Sequence, residues 1–83
     1  MKLIEGVVVA HLDDGWVVFN GEKEELLEFN EVGGLVLWLI QEGVEEVDEI
    51  TKAVVEKFDV DYAQAKLDIN NFLEEMKAEG LLQ

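Results

Sequence analysis

Two turn signals divide the first thirty residues into three short apolar runs, and this division constrains the fold more than any other feature. Asp-Asp-Gly at residues 13–15 follows the β-branched run at 7–12, and Asn-Gly at 20–21 follows the run at 16–19. An Asp-Gly or Asn-Gly pair between apolar runs is typical of a β-hairpin. With a third, shorter run at 26–29, the sequence predicts an antiparallel meander.

From Asn30 onward the apolar residues recur at helical spacing. Asn30 is a suitable N-cap for a first helix, which Gly43 ends. A second helix is predicted over residues 47–58, and Asp61 caps a third helix that Gly80 ends. Strands followed by helices indicate an α+β fold with the helices on one face of the sheet. We expect a single domain over residues 1–83, winged-helix-like in the order and lengths of its elements, although its wing strands come first.

The inventory of residue types argues against an enzyme. The chain has no serine, cysteine, arginine or proline, and threonine, tyrosine and histidine occur once each. Nucleophilic catalysis draws mainly on Ser, Cys, Thr or Lys beside a base, so we expect no catalytic residues. The lone His11 and acidic clusters without calcium-loop spacing predict no metal and no cofactor. An acyl carrier is excluded for want of a serine, and although acids are plentiful, no spacing singles out a catalytic carboxylate pair.

The net charge limits the kinds of molecule that this protein is expected to bind. Six lysines oppose twenty acidic residues, which gives a formal net charge of −14. Nucleic-acid binding rests on Lys and Arg contacts to phosphates, so a winged-helix nucleic-acid binder is disfavoured. An acidic surface repels anionic membranes and favours basic partners, although the same acids also serve solubility alone. No apolar run approaches the ~20 residues that span a bilayer, and we expect a cytoplasmic protein without a membrane partner.

Four segments together carry a resemblance to a known family. They are residues 27–33 (Leu-Glu-Phe-Asn-Glu-Val-Gly), 44–50, 58–61 and the Phe-Leu-x-x-Met-x-x-x-Gly-Leu ending at 72–81. With the meander that precedes them, they resemble coenzyme PQQ synthesis protein D (PqqD) over about residues 6–82. The Asn-Glu-Val-Gly piece after a strand is the most specific of them. The domain of that family is also called the recognition element of ribosomally made, modified natural products.

The resemblance implies a non-catalytic peptide chaperone. Such a protein binds the leader segment of a precursor peptide and presents the rest to a modifying enzyme, such as a radical SAM protein, or to a leader peptidase. In the family the leader adds as an antiparallel strand beside the third strand, in a groove against the third helix. The acidic charge of this chain suggests a leader with basic residues.

The predicted peptide-binding residues lie on the third strand and the third helix. A strand edge offers free backbone donors and acceptors, although charged edge residues also serve merely to discourage aggregation. On the third helix, Leu67 lies about 140–180° from the core stripe, where a leucine among asparagines is interpreted as the floor of a groove; singly exposed leucines are also ordinary. The predicted set is Glu24, Glu25, Leu26, Leu27 and Glu28 on the strand, with Ala63, Leu67, Asn70 and Asn71 on the helix.

The first helix supports an alternative function. It is apolar nearly all round, because Leu37 and Trp38 depart from the stripe of its other apolar residues. Such a helix is either buried or part of a protein interface. The alternative is therefore an acidic structural or oligomerising subunit, with Leu37 and Trp38 contacting a modifying enzyme or a second copy of the chain in a homodimer.

Overall fold

The computed structural model describes residues 1–83 and shows three strands followed by three helices. The strands form one antiparallel sheet in the order β1-β2-β3. Their bounds and those of the helices are β1 Val7–Leu12, β2 Gly15–Asn20, β3 Glu25–Phe29, α1 Glu31–Gln41, α2 Val47–Phe58 and α3 Tyr62–Ala78. The predicted α+β fold is confirmed, whereas its likeness to a winged helix stays a prediction. None of the three helices combines the length and the apolar character that a membrane span requires.

The two hairpin turns differ from the simple pattern that their dipeptides predict. In the first, Leu12 pairs with Gly15, and the glycine opens β2 with a φ of +144°. The second turn spans residues 21–24, where the Asn20 side chain accepts hydrogen bonds from the N–H groups of Glu22 and Lys23 at 3.1 and 3.4 Å. Its positive φ of 54° falls on Glu24, so this predicted site residue lies in the turn and precedes β3.

Helix α1 is the central element of the fold. It contacts all three strands and α2, and its buried residues belong to the core. Leu37 is 0% exposed, so the prediction that it takes part in a partner interface is wrong. The reason is that α1 packs against neighbours on more than one side, and a helix so placed is apolar nearly all round because it is buried. Trp38 stays half-exposed at the margin of this packing.

The residues after α3 return to the body of the protein as a short extended tail. Leu81 and Leu82 are buried, and Leu82 pairs with Leu3 in an isolated antiparallel bridge. The Ile4 N–H donates to the Leu81 carbonyl at 2.9 Å. The tail therefore closes the end of the core beside the C-terminus of α3.

Candidate functional site

The two edges of the sheet differ in whether another part of the chain bonds their outward backbone groups. Along β1, the Gly21 N–H donates to the Gly6 carbonyl at 2.9 Å. Because backbone groups alternate in direction along an antiparallel pair, this bond turns the N–H and C=O of Val9 away from β2. The side chain of Gln41, at the end of α1, bonds both of these backbone groups. Its Oε1 accepts from the Val9 N–H at 2.7 Å and its Nε2 donates to the Val9 carbonyl at 3.1 Å. The β1 edge is thus capped at Val9, in the middle of the strand.

The β3 edge is open. The same alternation directs the backbone groups of Trp16, Val18 and Asn20 toward β3, where they face Phe29, Leu27 and Glu25. The N–H and C=O groups of Leu26 and Glu28 therefore point away from the sheet. No hydrogen bond outside the sheet engages them. These four groups form a template for one more strand.

Two cavities lie along this open edge, between β3 and α3. The larger has a volume of about 670 Å³ and the smaller about 340 Å³, and both are lined by Glu28 and Phe29. We call these two adjoining cavities together the groove. The larger cavity is completed by residues of α1, α2 and the first half of α3, and the smaller by the last turns of α3 and Leu81. The groove therefore runs along β3 and α3 together.

An aromatic pair forms the floor of the groove where strand and helix meet. The rings of Phe29 and Phe72 pack edge to face with their centroids 6.0 Å apart. Gly33 makes room for this pair, since a Cβ there would lie 3.2 Å from the Phe72 ring. The Gly33 N–H donates at 2.7 Å to the side chain of Asn30, the N-cap of α1. The Asn-Glu-Val-Gly segment thus both starts α1 and shapes the groove.

The walls of the groove combine apolar surface with negative charge. Val32 is 38% exposed and lines the larger cavity together with the exposed Val60. Every ionisable residue that lines either cavity is acidic: Asp61 and Asp68 in the larger one, Glu75 and Glu79 in the smaller, and the edge-strand residue Glu28 in both. Two of these acids also have structural partners, because Asp61 caps α3 and Asp68 accepts a hydrogen bond from Gln64. The groove suits a segment with apolar and basic side chains.

Two of the five predicted strand residues line the groove, and none of the four predicted helix residues does. Leu27 and Glu28 line it, Glu25 and Leu26 lie on the same strand, and Glu24 lies in the preceding turn. Ala63, Leu67, Asn70 and Asn71 line neither cavity, and their contact with a peptide stays a prediction. A helical wheel shows which residues avoid the core, but not which exposed flank faces the neighbouring strand.

The face of α3 that lines the groove is a stripe beside the core stripe. Besides the core residues Ala65, Ile69 and Met76, and Ala78 near its end, the lining includes Gln64, Asp68, Phe72, Glu75 and the C-cap Glu79, spaced four, four, three and four residues apart. Only its spacing and its position next to the buried residues mark it in the sequence. Val32 and Val60 are likewise missed by the sequence prediction, since each resembles an ordinary residue at the margin of a core.

The shifted pKa values in the chain lie away from the groove. Lys66 on α3 forms an ion pair with Asp48 on α2 at 2.8 Å, and this contact lowers the pKa of Asp48 below its ordinary value. Tyr62 donates a hydrogen bond to the same carboxylate at 3.2 Å. None of the three lines either cavity, and no group of three or more potential metal ligands is present in the chain. These contacts join α2 to α3.

Solved structures with this fold include proteins in complex with leader peptides. One, described as TbiB1 in complex with the TbiA(beta) leader peptide, is 29% identical, with a TM-score of 0.87 over 100% of this chain and 95% of that one. A second, lasso peptide synthetase B1 complexed with the leader peptide, is 21% identical, with a TM-score of 0.80 over 96% and 93% of the two chains. At that identity the second likeness shows the fold alone.

No curated protein matches the chain. The family model for coenzyme PQQ synthesis protein D matches residues 15–82, which include β2, β3, all three helices and every residue that lines the groove. The resemblance that the sequence suggests is confirmed over most of its length. The chain belongs to the coenzyme PQQ synthesis protein D (PqqD) family.

Proposed function

We propose that this protein binds the leader segment of a ribosomally made precursor peptide as a fourth, antiparallel strand beside β3. In this role it performs no chemistry itself. It holds the leader and presents the remainder of the precursor to a modifying enzyme, such as a radical SAM protein, or to a leader peptidase. Nothing in the proposal requires a cofactor or a metal.

The observation that carries the proposal is the asymmetry of the sheet edges. Gln41 occupies the free backbone groups of Val9 on one edge, while those of Leu26 and Glu28 on the other edge have no partner. Strand addition takes affinity from such backbone groups and selectivity from pockets for alternate side chains. The groove supplies those pockets beside the open edge. The leader complex of TbiB1, whose chain aligns with this one over its full length, supports the same role.

Backbone pairing gives the first test. On addition of the leader peptide of a precursor encoded beside this gene, the amide protons of Leu26 and Glu28 are expected to become protected from solvent exchange. The Val9 amide, already bonded to Gln41, is expected to keep its exchange rate. Hydrogen exchange followed by NMR resolves all three. Protection confined to α1 around Trp38, with no change in β3, would contradict strand addition and favour an interface through that helix.

A pair of aspartate substitutions tests which face of α3 closes the groove. Val32→Asp places a charge in the larger cavity, in the first turn of α1, where an acidic residue suits the helix. We expect it to weaken leader binding by about ten- to a hundredfold, since apolar leader groups would meet a carboxylate there. Leu67→Asp adds the same charge on a side chain that is 55% exposed and outside both cavities. It is expected to bind the leader as the unsubstituted protein does.

Isothermal titration of each variant with the leader peptide, after circular dichroism has verified folding, gives the comparison. A large loss with Leu67→Asp and none with Val32→Asp would place the peptide on the helix face that the sequence predicts. It would also remove the groove from the proposal.

A further inference from the structure

The outward face of the sheet, opposite the helices, carries a row of exposed apolar side chains that leads to the open edge. Val8 pairs with Phe19, and Phe19 pairs with Leu26, so the three side chains lie side by side across the three strands. They are 54%, 47% and 65% exposed. The most exposed of them, Leu26, is on the edge strand itself. An apolar side chain on a strand added at this edge would extend the row by one position.

A second row on the same face ends in a charge. Ala10 pairs with Val17, and Val17 pairs with Glu28. Glu28 takes part in no ion pair in the chain, and its neighbours in the row are uncharged. The two edge residues whose backbone groups are free, Leu26 and Glu28, therefore also present the two outward side chains: one apolar and one anionic.

Strand geometry fixes which peptide side chains would meet them. In an antiparallel pair, residues that exchange backbone hydrogen bonds lie directly opposite, with their side chains on the same face. The peptide residues that exchange backbone hydrogen bonds with Glu28 and Leu26 would have outward-facing side chains. The residue opposite Leu26 comes two positions after the residue opposite Glu28 in the peptide sequence. The residues opposite Phe29 and Leu27 would project inward, toward the larger and the smaller cavity respectively.

We propose that the bound leader is recognised on both faces, with a lysine or arginine beside Glu28 and an apolar residue beside Leu26 two positions further on. This inference rests on the proposed function and deepens it by naming the side chains that the outward face selects. From its N-terminus, the favoured peptide segment therefore has four consecutive residues. They are an apolar residue in the larger cavity, a basic residue beside Glu28, a residue in the smaller cavity, and an apolar residue beside Leu26. Charge complementarity and the continuity of the apolar row with the edge strand favour this occupant.

Selection from a displayed library of random twelve-residue peptides tests the charge. The unsubstituted protein is expected to enrich peptides with Lys or Arg two positions before an apolar residue. Glu28→Lys should replace that preference by Asp or Glu at the same position. Glu22→Lys makes the same change in net charge in the turn before β3, and it should keep the original preference. If both variants alter the preference equally, the selection reflects overall charge, and pairing with Glu28 is overturned.

The apolar contact is tested with one peptide enriched on the unsubstituted protein. Leu26→Thr keeps a residue suited to strands and removes most of the apolar surface, so we expect about a two- to fivefold loss of affinity by fluorescence anisotropy. Val8→Thr alters a similarly exposed residue of the same row on the far strand and should leave affinity unchanged.

Three results would count against the proposal in distinguishable ways. Unchanged affinity with Leu26→Thr, alongside a large loss with Val32→Asp, would overturn recognition on the outward face and leave the groove in place. If Leu26→Thr instead converted a dimer to a monomer in sedimentation without affecting peptide affinity, the apolar row would belong to a second copy of the chain. Failure of the unsubstituted protein to enrich any peptide would contradict the proposed function and this inference with it.

Discussion

Trp16 is the residue on which the sheet, α1 and the edge of the core converge. Its indole is 5% exposed, stacks on His11 with ring centroids 4.0 Å apart, and lies tilted against Trp38 at 6.5 Å. The lone histidine of the chain thus has a structural partner. Gly34 of α1 faces the indole so closely that a Cβ at this position would overlap it. The glycine therefore allows the helix to pack directly on the sheet.

Gly34→Ala is expected to destabilise the protein by about 1–3 kcal/mol, because the buried indole must move to admit the added methyl group. The higher helix propensity of alanine offsets this loss of stability by only about 1 kcal/mol. Gly33→Ala is the matched control in the same helix, since its Cβ would lie 3.2 Å from Phe72 and Asn30 and needs only a small adjustment. Urea unfolding of both variants measures the difference. Equal stabilities of the two would contradict the packing described for Trp16.

The end of α1 contacts strand β1, and no local pattern in the sequence predicts this contact. Gln41 occupies the last position of the helix and bonds the backbone of Val9, thirty-two residues away in the chain. A glutamine at a helix end reads as an ordinary solvated residue. Its role follows from the packing of α1 across the sheet, which carries its side chain to the edge.

Gln41→Ala is expected to lower the free energy of unfolding by about 1–2 kcal/mol, since two hydrogen bonds are lost and the Val9 groups must find water. The Val9 amide should then exchange with solvent at least about tenfold faster by NMR. Gln64→Ala serves as a control, because it removes an exposed glutamine whose side chain bonds Asp68 within one helix. Unchanged exchange at Val9 in Gln41→Ala would show that the β1 edge is protected by something other than this side chain.

The elements were predictable from sequence where their signals are local. Both hairpins, the caps Asn30 and Asp61 and the helical stripes depend on neighbours within a few residues, and the structure has these elements where they were predicted. The burial of Leu37 and the groove-lining face of α3 were not predictable in this way. Both depend on how α1 and α3 are oriented against the sheet, and the helical period alone does not specify that orientation.

At the scale of the whole molecule, the net charge of −14 sets how a partner approaches. The acidic lining of the groove has the same sign as the surface around it, so the long-range field and the local charges favour the same ligands. Such a field would attract a basic leader and repel nucleic acid. The effect of this field is on the rate of association more than on the lifetime of the complex.

The association rate constant for a leader with several basic residues is expected to fall by about tenfold or more between ~0.02 M and ~0.5 M salt, because screening shortens the reach of the field. Stopped-flow fluorescence measures it directly. A peptide with each Lys and Arg replaced by Gln is the control and should associate at a rate that salt barely changes. Duplex DNA should show no measurable binding at physiological salt. A salt-independent rate for the basic peptide would contradict electrostatic steering.

The Gln41 cap on β1 has a consequence for how many molecules one sheet can recruit. A unit that pairs at both edges propagates into a fibre, whereas a unit with one reactive edge terminates growth after a single addition. Two copies joined through their β3 edges would form a twofold pair whose outer strands are both capped at Val9. A copy loaded with peptide has no edge left for that pairing. In the proposed binding mode, a leader peptide and a second copy of the chain would compete for the β3 edge, and each copy would hold one peptide there.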